Sequence, residues 1–254
     1  DLNLVKGAPA NRRKFLDMEL GQMNPVYLHD LVQYQRILKQ RNLYLKQLVT
    51  GKAKDEVYLD VLTEQLAILG ADLLVYRLQF IKKLEAWAQP LHKEISLERE
   101  ELTIAYKSNV ELSDEMDKDA LFLKLMEAFK QGKSRERDQA VTLFGPHRDD
   151  LVFQVNGRNV QNFGSQGQQR TTVLSLKLAE IECMNAVLGE YPIHSLADVL
   201  SALGDERQTH LLKAIEKKVQ TFLTTTSLDG IKKNKIDEPT IYHIKNGEVE
   251  MEGV

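Results

Sequence analysis

The 254 residues suffice for one large domain or two small ones with a sizeable core, and 34 Lys and Arg against 37 Asp and Glu leave a formal net charge of −3. That balance makes no global case for nucleic acid, so any DNA site must be a local patch. No apolar run is long enough to span a membrane and no signal peptide is present, while a single cysteine, Cys183, reads as a buried small hydrophobe of a reducing cytosol, excluding an intrachain disulfide or a cysteine metal cluster.

Taken in order, Asp1 to Gly7 is expected as a short extended or turn segment, and a start at Asp1-Leu2 rather than methionine hints at a fragment. Arg12-Arg13-Lys14 open a short helix; three adjacent cations are a solvated face or, in the sharper reading, a phosphate contact. Asn24-Pro25 caps and starts a long helix in which Tyr27, Leu31, Tyr34, Leu38, Leu45 and Leu48 recur at heptad-like spacing, with Arg41 interrupting the seam. After Gly51-Lys52 a second long helix carries Leu62, Leu66, Leu69, Leu73, Tyr76 and Phe80 on one stripe and is expected to continue helical past Pro90. The two form an antiparallel α-hairpin.

Leu102 to Tyr106 alternates like a strand, Glu111 to Asp119 is an acidic loop ending in a cap, and Ala120 to Phe129 is an amphipathic helix that Gly132 should end. Ser134 to Asp138 then leads into a strand at Val141 to Phe144. His147, Arg148, Asp149 and Asp150 place a base, a cation and two carboxylates on one turn. They read as a salt-bridged turn, Arg148 with either Asp, with a metal or phosphate site as the functional alternative. Leu151 to Val155, Asn156-Gly157 and Arg158 to Val160 read as a hairpin.

Asn162 to Thr172 is a polar, glycine-bearing loop running into an apolar helix, Val173 to Leu188, with Ser165 where an N-cap would sit. An ordinary cap and an anion site both fit, since free N–H groups, the helix dipole, Gly167 and the donors of Ser165 and Gln168 suit a negative charge. A strand at Tyr191 to Leu196 ends in Ala197-Asp198, Asp205 to Ile215 is a helix, and Val219 to Leu223 is a β-rich run closed by Thr224 to Ser227. That alternation suggests a parallel βαβ unit, with ligands collecting near Asp198 and Thr225 to Ser227 at the strand ends. Thr240 to Met251 forms a terminal hairpin around Asn246-Gly247.

The order of loop and helix, strand ending in an acid, and strand ending in hydroxyls resembles the C-terminal half of an ABC-type ATPase head. More specifically the chain resembles the RecF family, bacterial recombination-mediator ATPases of the SMC-like group. Gly145-Pro146-His147-Arg148-Asp149-Asp150 and Gly164-Ser165-Gln166-Gly167-Gln168-Gln169-Arg170 carry the resemblance best, with support from residues 1–7, Arg12-Arg13, residues 15–17, residues 38–42 and Thr224 to Ser227.

The resemblance implies an α/β fold: a partial ABC-type ATPase head, with a P-loop NTPase-like parallel sheet, and a helical hairpin arm lobe. It implies a remnant of the N-terminal lobe over 1–23, an arm lobe over 24–135 and a C-terminal ATPase lobe over 136–254. Ser165, Gln166, Gly167, Gln168 and Arg170 would be the signature that reaches the nucleotide of a partner subunit; Asp198 the water-positioning acid; Thr225 and Thr226 a switch. Arg12, Arg13 and Lys14 are the candidate DNA contacts, and no residue is assigned to a metal. It further implies ATP with Mg²⁺, an ATP-dependent homodimer, binding of single-stranded or gapped DNA, RecO- and RecR-like partners that help load recombinase, a cytoplasmic location, and roles in recombination and the SOS response.

Two departures stand against a complete ATPase. No Gly-x-x-x-x-Gly-Lys-[Ser/Thr] occurs, and Ala197 occupies the place of the metal-positioning acid of the family's strand. Ala202 also stands where the family has an acid. Enzymatic activity is therefore left open, and the alternative is a nucleotide-independent DNA- or protein-interaction module with a decayed ATP site.

Overall fold

A computed structural model describes residues 2–113, 116–191, 194–197, 221–224 and 240–252. The chain separates into two compact units, Asp1–Glu190 and Tyr191–Val254. The first is built on helices: α1 (Asn3–Lys6), α2 (Pro9–Met23), α3 (Pro25–Val49), α4 (Glu56–Ile95), α5 (Lys118–Gln139), α6 (Val160–Phe163) and α7 (Gln166–Leu188). Among the described residues no helix is long and apolar enough to cross a membrane.

The α3–α4 hairpin is what the heptad pattern predicts. The Asn24 side chain accepts from the amides of Val26 and Tyr27, Pro25 takes the first helical position, and Asp55 caps α4 in the same way. Leu66, Leu73, Leu74, Phe80, Ile81 and Leu84 of α4 are buried, and α4 packs against α3, α5 and α7. Pro90 lies inside α4, whose helical path runs on to Ile95; a proline removes one backbone bond there but leaves the packed face intact. Arg41, which broke the seam in sequence, is 2% exposed. It donates to Thr63 Oγ1 at 2.9 Å, Thr142 Oγ1 at 2.8 Å and Glu136 Oε2 at 2.6 Å, and lies over the Phe129 ring. A cation so placed is compensated on every side.

Strands β1 (Leu102–Lys107), β2 (Asp150–Val155) and β3 (Arg158–Asn159) form an antiparallel sheet, with Leu102 opposite Val155 and Ile104 opposite Phe153. Leu151, Phe153 and Val155 turn inward while their neighbours are half-buried, as a one-sided sheet requires. Asn156-Gly157, both at positive φ, make the expected two-residue turn.

Three expectations are corrected. Residues 3–6 are helical, not extended, because Leu4 and Val5 are drawn into the core. Gly132 does not end α5: it lies inside the helix, where any Cβ would collide with the Phe144 ring, and Ser134 to Asp138 are helical too. Val141 to Phe144 is not a strand; Thr142 and Leu143 give their amides to the side chains of Asn42 and Glu136, so that segment is held by side chains rather than a ladder. Helix α5 runs through residues 135 and 136, and α2, α4 and α7 share one core.

In the second unit β4 (His194–Ala197) pairs in parallel with β5 (Thr221–Thr224), and β6 (Tyr242–Lys245) with β7 (Glu248–Met251) as a hairpin. The parallel pair is the expected arrangement, and the helix expected over Asp205 to Ile215 lies outside the described residues.

Candidate functional site

Ser165 is the N-cap of α7. Its hydroxyl accepts from the amide of Gln168 at 3.2 Å, and the Gln168 side-chain oxygen accepts from the Ser165 amide at 2.9 Å, closing a capping box. Gln169 is buried and donates to Val160 O, tying the helix start to α6. Helix α7 is therefore fixed from its first turn, while Ser165, Gln166 and Gly167 remain exposed and Arg170 is half-buried. An exposed start of a 23-residue helix, with a serine hydroxyl whose proton is still available, fits a phosphate. Phe163, two residues ahead, is 74% exposed, an apolar ring that the sequence pattern did not single out.

The Gly145–Asp150 turn holds together differently from expectation. Arg148 does not pair with Asp149 or Asp150; its Nε and Nη2 both donate to Thr142 O. Asp150 instead takes both arms of Arg12, at 2.6 and 2.9 Å, and Asp149 accepts from Tyr106 Oη and Ser108 Oγ, each at 2.8 Å. Burial pushes the Asp149 carboxyl up, and Ser108, Tyr106 and Arg77 pull it back. Pro146 O accepts from Arg77, which also holds Asp17 at 2.7 Å. His147 Nε2 faces Thr142 O at 3.3 Å and Nδ1 faces Tyr34 Oη at 2.7 Å. A carbonyl can only accept, so Nε2 carries the proton and Nδ1 accepts from Tyr34. Burial lowers the imidazole to about 4, so it is neutral near pH 7. Gly145, at φ +113°, passes over the Tyr34 hydroxyl with no room for a Cβ. The motif thus stitches α2, α3, α4 and β1 together.

Arg12 is corrected as a candidate phosphate contact. It is 2% exposed, forked onto Asp150 and bonded to Gly7 O, so its donors point inward. Arg13 is half-buried and gives one N–H to Asp149 O; Lys14 is exposed. Asp198, Thr225 and Thr226 lie outside the described residues. Their neighbours Ala197 and Thr224 sit opposite one another at the ends of β4 and β5. A methyl group at Ala197 cannot ligate Mg²⁺, so this strand end does not fit the metal role.

Three buried polar groupings escaped the sequence reading. Arg77 joins Tyr27, Asp17, Tyr106 and Pro146. His92, fully buried, lies 3.1 Å from Ser175 Oγ on α7 and 3.2 Å from Glu100. Glu19 on α2 meets Glu180 on α7, which holds Lys177 at 2.8 Å. The available signal was the one Arg41 gave: a charged residue inside an apolar stripe, as Arg77 is between Leu73 and Phe80.

No family model matches the sequence. The chain is 57% identical over 251 residues to the DNA replication and repair protein RecF of Enterococcus faecalis, covering 98% of this chain and 67% of that protein. The chain belongs to the RecF family. The RecF of Bacillus subtilis is 55% identical over 247 residues, covering 97% of this chain and 67% of that protein. A solved structure of the recombination mediator protein RecF with ATP, in the RecFOR pathway, superposes with a TM-score of 0.86 at 31% identity, over 99% of this chain and 65% of that one. The Smc head domain of Pyrococcus furiosus, bound to the C-terminal domain of ScpA, shares the fold at a TM-score of 0.53 and 12% identity. The fold is α/β, that of an ABC-type ATPase head, and the chain spans about two thirds of the length of the RecF relatives it matches.

Proposed function

We propose that this chain works in DNA replication and repair as the signature-bearing part of a RecF-type ATPase. Ser165, Gln166, Gly167 and Gln168, with Arg170 behind them, meet the γ-phosphate of ATP bound to a second subunit, so that nucleotide drives dimerisation. The supporting observation is the exposed, doubly capped start of α7. Asp198 positions water, Thr225 and Thr226 sense the phosphate, and the dimer holds single-stranded or gapped DNA and works with RecO- and RecR-like partners in the cytoplasm. Lys14 and Arg13 are the DNA contacts retained from the sequence, and binding should be independent of base sequence.

No P-loop sequence occurs in the 254 residues and Ala197 replaces the acid that would position Mg²⁺. Alone, the chain is therefore expected to hydrolyse almost no ATP; robust turnover by the purified polypeptide would refute the assignment of its parts. Ala197 also favours a second reading, a nucleotide-independent module on the same scaffold. Ala197→Asp, in a polypeptide extended by the family's remaining third, separates the two. Strengthened ATP-driven dimerisation supports the ATPase reading, and an unchanged response supports the module.

A further inference from the structure

Between α2 and α3, with Leu73 and Arg77 of α4 and His147 in its lining, lies an open cavity of about 740 Å³, a size that suits a small organic ligand. Its floor is apolar: Leu31, Leu38 and Leu73, with the Tyr34 ring beside them. Met18 and Leu28 stand at the mouth with about half their surface exposed. The charge on the lip is unbalanced. Asp17 is committed to Arg77 at 2.7 Å and Tyr27 at 2.6 Å, whereas Arg13 gives up a single N–H, to Asp149 O, and Lys14 has no partner among the described residues.

Gly21 adds an independent observation. Glycine weakens a helix interior, and the other helical glycines with described surroundings have a packing reason: Gly70 and Gly132 lie against Leu125 and Phe144 too closely for a Cβ to be comfortable. At Gly21 a Cβ would meet only Leu28, at an ordinary 3.5 Å. Nothing in the packing of α2 requires the glycine, yet it lines the cavity.

We propose that this cavity is a binding site for a small organic anion with a flat or branched apolar body. The body lies on Leu28, Leu31 and Leu38, over the fully buried Leu73, and the anionic group is held by Arg13 and Lys14. The neutral His147 ring and Tyr34 hydroxyl are engaged with each other and form a wall rather than a second charge. The ligand would share its two cations with any DNA phosphate bound there, so the site is tested without DNA.

The probe is the aryl sulfonate 8-anilinonaphthalene-1-sulfonate, followed by fluorescence, with uncharged N-phenyl-1-naphthylamine as a matched apolar body. Saturable one-to-one binding of the sulfonate is expected. Gly21→Leu, which fills the cavity and favours the helix, should weaken it at least tenfold. Lys14→Glu should weaken the sulfonate several-fold and leave the neutral analogue unchanged. Shifts of the Met18 and Leu31 methyl signals on titration place the probe independently of either variant. Full binding in Gly21→Leu, or equal effects of Lys14→Glu on both dyes, overturns the proposal. So does loss of binding in a polypeptide extended by the family's remaining third, because the cavity would then be an internal seam.

Discussion

Replacing Glu19 by glutamine should remove a defined pH dependence of stability. Glu19 is 3% exposed on α2 and hydrogen-bonded to Glu180 on α7, whose own partner is Lys177. Lys83 on α4 and Cys183 on α7 lie in the same neighbourhood, and burial pushes the thiol up to about 12, so it stays protonated. Desolvation first, then the charge of Glu180, raises Glu19 from 4.5 to about 8. Across that window the folded state keeps a proton that the unfolded chain loses, so stability falls as pH rises from about 4.5 to 8. At about 1.36 kcal/mol per pH unit the ceiling is roughly 5 kcal/mol, and sharing of the proton with Glu180 brings the expected loss to about 3 kcal/mol. Urea unfolding of both proteins at pH 5, 6, 7 and 8 reads the titration of the Glu19–Glu180 pair, because every titrating group outside the pair is common to both proteins. Glu19→Gln should match the parent at pH 5 and exceed it by about 3 kcal/mol at pH 8. Parallel stability curves would mean that the carboxyl pair does not share a buried proton, and the reasoning about the α2–α7 contact would be wrong.

His147 should act in the opposite direction. Burial lowers its folded pKa from 6.5 to about 4, so stability is lost as pH falls through that interval, and His147→Gln should remove this acid-side loss from the same titrations. Glu136→Leu leaves Arg41 buried and unpaired, at a cost of about 3–5 kcal/mol, and adding Arg41→Met should recover most of it; a double variant no better than the single one would remove the ion pair from the explanation. Gly132→Ala should destabilise by about 1–3 kcal/mol in chemical denaturation despite better helix propensity, because the Phe144 ring occupies the space; a more stable protein would contradict that packing. Lys14→Ala with Arg13→Ala should flatten the salt dependence of DNA binding, and an unaltered slope would remove them as contacts.

What the sequence made legible was local chemistry repeated at short range. Asn24-Pro25 and Ser165 announced helix starts by their caps, Asn156-Gly157 announced a hairpin by its turn, and the leucine spacing of α3 and α4 announced a packed pair. What stayed hidden depended on distant partners. Val141 to Phe144 has strand-forming residues, but the side chains of Asn42 and Glu136 take its amides before any neighbouring strand can. Gly132 looked like a helix terminator because a Phe144 ring twelve positions on cannot be seen in a local window. At the candidate site, Ser165 was readable as the N-cap of its helix, whereas Asp150, the acid that holds Arg12, lies 138 residues away from it and turned an apparent surface cation into a buried one.

The most direct test is to join this chain to the family's remaining third and measure ATP affinity and sedimentation together, with Ser165→Arg as the variant. A signature acting across the dimer predicts that ATP binding to the monomer is unchanged while the ATP-driven shift to dimer is lost. If Ser165→Arg instead leaves dimerisation intact, or abolishes ATP binding by the monomer, the start of α7 does not serve a partner's nucleotide.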